Sequence, residues 1–363
     1  MRKMRSGEKM MKKHDRTSRR PTLRLMALSV LLALFPFILF TSGCAPAVKK
    51  VGKTALCSVF PVYDWMRELT AGVADGVRPT LLNKNGADMH SYQPSATDIV
   101  NISGSDLFVC IGGFSDYWIG DIPTSMNTSQ LRVSLYAELF GEDAERESVE
   151  HESEEHRCED SPLHDHTDNG HGGYNGTVPA PSLPDEHIWL SLKNAVRACE
   201  ILTEKLCAID PENSSAYRKN CDSYTEKLRD LSNEYESAAN ESDCRSILFA
   251  DRFPFSGLMQ DYGISVYSAF SGCSSETDAG YDTIARLAEA LHTTGLSGVT
   301  VTESSDQRIA ETVIKTCNDP DRRIFVLDSM QSVTEKQALE GKTYLGTARE
   351  NLSVFKEAIN KCQ

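Results

Sequence analysis

Apolar residues along this chain fall into short strand-length runs, separated by stretches in which they recur every third or fourth position. Residues 55–60 (ALCSVF) and 106–111 (DLFVCI) read as buried strands, the second ending in Gly112-Gly113, and residues 76–82 fit a strand between them. Residues 63–70 and 95–102 read as the intervening helices. Strand, helix, strand at this spacing predicts parallel α/β units. The alternation returns after residue 245, with strands at 246–250 (SILFA), 264–269, 298–302 (GVTVT) and 324–327 (IFVL), and helices at 281–293, 306–316 and 344–359.

Between the two sets lie a helix over residues 193–209 and a longer amphipathic one over 212–240. Asp210 is placed to cap the longer helix and Pro211 to open it. Tyr217, Cys221, Tyr224, Leu228, Leu231, Tyr235 and Ala238 follow at alternating steps of four and three, so all seven share one face. Such a helix is about 43 Å long. It suits either a stiff connector between two lobes or an ordinary core-packed helix.

The pattern breaks at residues 141–178, which offer almost nothing to bury and read as a solvated loop. Residues 141–170 carry twelve acids against two Arg. His151, His156, His164, His166 and His171 lie in this loop and make up five of the nine histidines. Imidazoles interleaved with carboxylates suit a divalent metal, and Zn²⁺ in particular.

A second break is the N-terminus. Residues 1–24 carry ten Lys/Arg against Glu8 and Asp15, followed by a 16-residue apolar run and Thr41-Ser42-Gly43-Cys44. That run is short for a spanning helix, which needs about 20 residues. The pattern is an export signal, with Cys44 as the residue that would be lipidated; an uncleaved anchor helix is the alternative. Both place the body outside the cytoplasmic membrane. Removing residues 1–43, which hold those ten bases and two acids, takes the formal charge from −14 to −22. So acidic a body excludes nucleic acid as a main partner and suits cations. The remaining ten cysteines form no C-x-x-C pair, and several sit in apolar patterns as small buried hydrophobes.

Five segments now carry a resemblance: FPVYDWMRELTAG (60–72), GADMHSYQPSATDI (86–99), DEHIWLSLKNA (185–195), AIDPENSSAY (208–217) and, near the C-terminus, VLDSMQS with TYLGTARENL. In order and in content the chain resembles the ZnuA/TroA-like substrate-binding lipoproteins of zinc/manganese ABC importers. The resemblance implies two α/β lobes with parallel sheets, joined by one long helix, and a metal held between them. It implies an extracytoplasmic, lipid-anchored monomer that delivers its ion to an ABC permease and ATPase. The expected layout is a signal at 1–43, a tether at 44–53, a first lobe at 54–209 including the loop, a connecting helix at 210–241 and a second lobe at 242–363.

Carried over residue by residue, the ligands are His90 in DMHSYQPS, His187 in DEHIWL and Asp328 in VLDSM. Where the family's third ligand stands, this chain reads FADRFPF (249–255) without the His of zinc importers. Asp251 takes that place, Glu303 is the alternative, and Arg252 is placed to pair with one of these acids. Asp251, Glu303 and Asp328 all follow strand ends, where a parallel sheet faces its ligand crevice. Two imidazoles with carboxylates suit Zn²⁺; the same set with a bidentate carboxylate suits Mn²⁺. The expected function is zinc capture, with manganese capture as the alternative. A zinc hydrolase needs an open coordination position and a general base, yet the chain has neither H-E-x-x-H nor G-x-S-x-G, so no enzyme is expected. A surface adhesin would need an exposed interaction patch that no segment announces.

Overall fold

A computed structural model of the chain describes residues 52–122, 127–159, 183–270, 279–319 and 321–359, with the backbone alone over 151–159. The export signal, Cys44, His164, His166 and His171 lie outside the described residues. His151 and His156 fall where only the backbone is described.

The first lobe opens with β1 (Thr54–Cys57), α1 (Phe60–Leu69), β2 (Arg78–Leu81), α2 (Ala96–Gly104) and β3 (Leu107–Cys110). The continuous apolar run of β3 is buried throughout, as a strand covered on both faces requires. Pro61 sits in the first turn of α1, where its missing N–H costs nothing. Ser95 and Asp98 cap α2 reciprocally. Next come β4 (Leu131–Ser134), α3 (Leu135–Phe140) and α4 (Glu142–Glu159). The four strands pair in parallel in the order β2-β1-β3-β4.

Helix α4 corrects the expectation of a loop over residues 142–159, and residues 160–178 of that expected loop lie outside the described residues. Its Glu, Arg and Ala residues are good helix formers without being apolar, and Glu142, Asp143 and Glu145 complement the helix dipole in the first turn. Glu145 also fastens the helix, accepting from the Gly113 N–H at 3.2 Å and the Ser134 hydroxyl at 2.5 Å.

Helix α5 (Leu192–Ile209) leads through a 3₁₀ turn at Pro211–Asn213 into α6 (Ser214–Glu241). The 28 residues of α6 span about 42 Å. All seven positions on its expected face are buried. The expected cap is different: Asp210 does not cap the helix, because its carboxylate accepts from the Tyr217 hydroxyl at 2.6 Å and from Asn213 Nδ2 at 2.8 Å.

The second lobe follows as β5 (Ser246–Phe249), α7 (Ser256–Tyr262), β6 (Ser265–Ser268), α8 (Tyr281–Thr294), β7 (Gly298–Thr302), α9 (Arg308–Cys317), β8 (Arg323–Leu327), α10 (Glu335–Leu339) and α11 (Tyr344–Ile359). Its sheet is also parallel, in the order β6-β5-β7-β8. The molecule is thus two parallel α/β lobes joined by one long helix. One hydrophobic core runs from Ala55 and Val109 through Leu228 and Tyr235 to Phe249 and Phe355, so the lobes are packed together as well as tethered. Buried Cys57 and Cys199 are free thiols within this core, Cys110 is a free thiol in a separate apolar cluster with Phe108 and Ile102, and Cys244 is disulfide-bonded.

Asp64 crosses between the lobes. It is 1% exposed and accepts the Tyr344 N–H at 2.8 Å, with Arg67 at 3.4 Å. Burial pushes its carboxyl up to about 6, against the pull of that hydrogen bond and of Arg67. A folded-state value above the unfolded one means the native chain holds this proton more tightly. The associated stability is therefore complete below pH ~4 and lost as pH rises through about 6. Asp64→Asn keeps an acceptor for Tyr344 without a charge to bury. Urea unfolding of the metal-free protein should show the variant gaining on the wild type by up to about 3 kcal/mol between pH 4 and pH 8. A difference that stays constant with pH would contradict this.

Candidate metal centre

Two loops from the first lobe bring His90 and His187 together. The first loop follows β2. Asn83 ties it by donating to the Ala87 carbonyl and accepting the Ala87 N–H. Gly86 then turns it at φ +64, and any Cβ there would collide with the Ser332 carbonyl of the second lobe. This close approach explains the glycine of the Gly-Ala-Asp-Met-His segment. Asp88 caps the short turn Met89–Ser91 by accepting the His90 N–H at 3.0 Å. The second loop precedes a turn at Ile188–Leu190. There Asp185 accepts both the His187 backbone N–H, at 2.7 Å, and its ring Nδ1–H, at 2.6 Å.

The two imidazoles meet with Nε2 atoms 3.1 Å apart. A tetrahedral zinc bonded at 2.0–2.1 Å holds two nitrogens about 3.3 Å apart. Each ring's other nitrogen is already engaged: His187 Nδ1 by Asp185, and His90 Nδ1 by the Ser115 hydroxyl at 2.8 Å. Burial and the neighbouring His187 ring hold the His90 pKa well below its usual range, so the ring is neutral at pH 7. Only 3% of His187 is exposed, and Trp189 packs edge-on against it at 5.2 Å.

Behind His90 stands the carboxylate of Glu186, which lies in the DEHIWL segment beside His187 and to which the sequence alone assigns no role. Glu186 accepts the Ser115 N–H and the Ser115 hydroxyl, both at 2.9 Å, and its Oε1 lies 3.3 Å from His90 Nδ1. Burial raises its carboxyl to about 7, against the pull of His187 and of the two Ser115 hydrogen bonds. Gly113 makes room for it: at φ +75, a Cβ there would lie 3.2 Å from both Glu186 Cβ and Oε2. Asp116 steadies the same turn by accepting from Ile111 N and Gly112 N. Ser115 follows the glycine pair and Glu186 precedes His187, but only folding brings them together.

The three acids sit at the strand ends, each engaged elsewhere. Asp251 ties β5 to β7, accepting from Thr302 N at 3.2 Å and Thr302 Oγ1 at 2.5 Å, while its other oxygen accepts the Arg252 N–H. Asp328 pairs with Lys342 at 2.5 Å and accepts the Met330 N–H. Glu303 accepts from Ser329 N, Ser329 Oγ and Ser332 Oγ, and burial raises its pKa. The expected pairing of Arg252 with Asp251 or Glu303 is corrected. Arg252 reaches across to the first lobe and pairs with Asp88 at 3.0 Å, because that carboxylate has one oxygen left beside the His90 turn. Among the described residues, no three His, Cys, Asp or Glu side chains are gathered so as to hold a metal. The structure therefore brings together His90 and His187, and leaves Asp251, Glu303 and Asp328 in their own hydrogen bonds.

With the site's geometry in view, comparison with known proteins adds the lineage. Residues 56–358 match the family model described as ZnuA, zinc-uptake complex component A, periplasmic. The zinc-binding protein AdcA of Streptococcus pyogenes is 24% identical over 319 residues, 86% of this chain and 57% of that protein. The chain thus spans little more than half the length of that relative. The high-affinity zinc uptake system protein ZnuA of Bacillus subtilis is 21% identical over 304 residues, 83% of this chain and 85% of that protein. The crystal structure of the Zn(II)-bound ZnuA-like domain of Streptococcus pneumoniae AdcA superposes with a TM-score of 0.63 at 20% identity, covering 85% of this chain and all of that one.

Proposed function

The chain belongs to the ZnuA family of zinc-uptake components, and from that membership we propose that it captures Zn²⁺ outside the cytoplasmic membrane and hands it to an ABC permease and its ATPase. It acts as a carrier rather than an enzyme, anchored through a lipid on Cys44. The observation that carries this reading is the 3.1 Å approach of two Nε2 atoms whose Nδ1 sides are already engaged. Both rings turn their Nε2 atoms toward one point, with a spacing close to that of two nitrogens on a tetrahedral ion.

Carboxylates complete the ligand set. Asp328 joins when the cation takes over from Lys342, and Asp251 or Glu303 joins on release from Thr302 or Ser329. Two imidazoles favour zinc. Manganese is the second reading, supported by three carboxylates at the strand ends and by the missing third histidine.

The histidines at 151–171 collect metal weakly and raise its concentration near the cleft. Helix α4 supports that role, because its first turns are fastened to Gly113, two residues before Ser115. Competition titration with Zn²⁺ and Mn²⁺ is expected to give one tight zinc and further weak ones. Deleting residues 150–173 should remove the weak sites and keep the tight one. Loss of all tight binding in the deletion would overturn the cleft assignment. Manganese held against equimolar zinc would reassign the ion.

A further inference from the structure

We propose that Glu186 is a positioning residue that decides which nitrogen of His90 is offered to the metal, acting through the Ser115 hydroxyl; this rests on the cleft reading above and deepens it. Ser115 places two donors on one carboxylate, its N–H on Oε2 and its hydroxyl on Oε1. A hydroxyl has one proton. Once that proton is committed to Glu186, the oxygen can only accept at its second contact, 2.8 Å away at His90 Nδ1. The hydrogen bond therefore runs from His90 Nδ1–H to Ser115 Oγ, and Nε2 keeps its lone pair. Asp185 does the same for His187 directly. Two lone pairs then face one point, an arrangement that a cation relieves. Outer partners that fix a histidine tautomer in this way typically govern metal affinity by 10- to 100-fold.

Glu186 is built into the fold. Its carboxylate fills the space that Gly113 leaves by having no side chain, and its main chain lies between Asp185 and His187. The same residue thus joins the two histidine loops.

Glu186→Gln tests this with almost no change in shape. The amide has one acceptor where the carboxylate has two. With its oxygen on the Ser115 N–H, its NH₂ donates to Ser115 Oγ. The hydroxyl proton then turns to His90 Nδ1, and the ring takes the Nε2–H form. Long-range ¹H–¹⁵N correlation spectra of the metal-free protein at about pH 9, where the Glu186 carboxyl is ionised, should show His90 as the Nδ1–H tautomer in the wild type and as the Nε2–H tautomer in the variant. Zinc affinity should drop by about 10- to 100-fold. Ser115→Ala should keep the wild-type tautomer and lose less than about 10-fold, because Glu186 Oε1 is already 3.3 Å from His90 Nδ1 and accepts directly. A Glu186→Gln variant with the wild-type tautomer overturns the proposal, as does a Ser115→Ala variant that switches it. The tautomer is read without metal, so failure of zinc capture in the wild type would count against the function and leave this arm intact.

Discussion

His187→Ala is expected to lower zinc affinity by about a thousandfold, or about 4 kcal/mol. Structural zinc sites bind with roughly 10–16 kcal/mol of apparent free energy, so one of four ligands carries about 3–4 kcal/mol. The loss goes beyond one nitrogen. Asp185, which accepts from the ring at 2.6 Å, is left without that donor. The face of Trp189's surroundings that the imidazole covers is opened to water. His90→Ala should fall comparably, because the two Nε2 atoms act on the same point. His292, exposed near the end of α8, is the matched control, and His292→Ala should leave the affinity unchanged. Chelator-competition titration of the three variants decides the matter. A His187→Ala protein that holds zinc within tenfold of the wild type would remove the imidazole pair from the site.

The second large effect concerns stability. Trp189 is fully buried, and its indole N–H donates to the Ser329 carbonyl across the lobes at 2.9 Å. Its own carbonyl accepts the Tyr344 hydroxyl. Trp189→Ala removes the ring, leaves a cavity beside His187 and strands the Ser329 carbonyl. Large aromatic truncations of this kind cost about 3–5 kcal/mol. Trp189→Phe keeps most of the apolar volume and loses the donor, which should cost about 1–3 kcal/mol. Denaturant unfolding of the metal-free protein gives both values. A loss under 1 kcal/mol in Trp189→Ala would mean that this junction contributes little to holding the lobes together. Zinc affinity should also fall in Trp189→Ala, because the indole is the wall that fixes the His187 ring.

These sites differ in how far the sequence exposes them, and the difference follows from range. The buried face of α6 is visible because Tyr217 to Ala238 obey the helical period within one segment. Buried strands such as β3 and β7 are visible because a strand covered on both faces needs a continuous apolar run. Asp251, Glu303 and Asp328 could be placed at strand ends by the rule for parallel sheets. Their partners Thr302, Lys342 and Ser329 could not, since those contacts arise only when strands and loops pack. Ser115 and Glu186 lie 71 residues apart in the chain, and no local pattern links them. Helix α4 was hidden for the opposite reason: its propensity is high, but it has no apolar stripe for a periodic reading to detect. Asp210 looked like a cap because its position is right, yet Tyr217 offers its carboxylate a stronger donor.

Anomalous diffraction at the zinc edge from crystals of the zinc-loaded protein tests the His90–His187 centre directly. One strong peak is expected, bonded to Nε2 of both His90 and His187, with Asp328 and one of Asp251 or Glu303 drawn into the shell. Strong zinc peaks found only away from this pair, with the two imidazoles still in contact as they are here, would contradict this expectation.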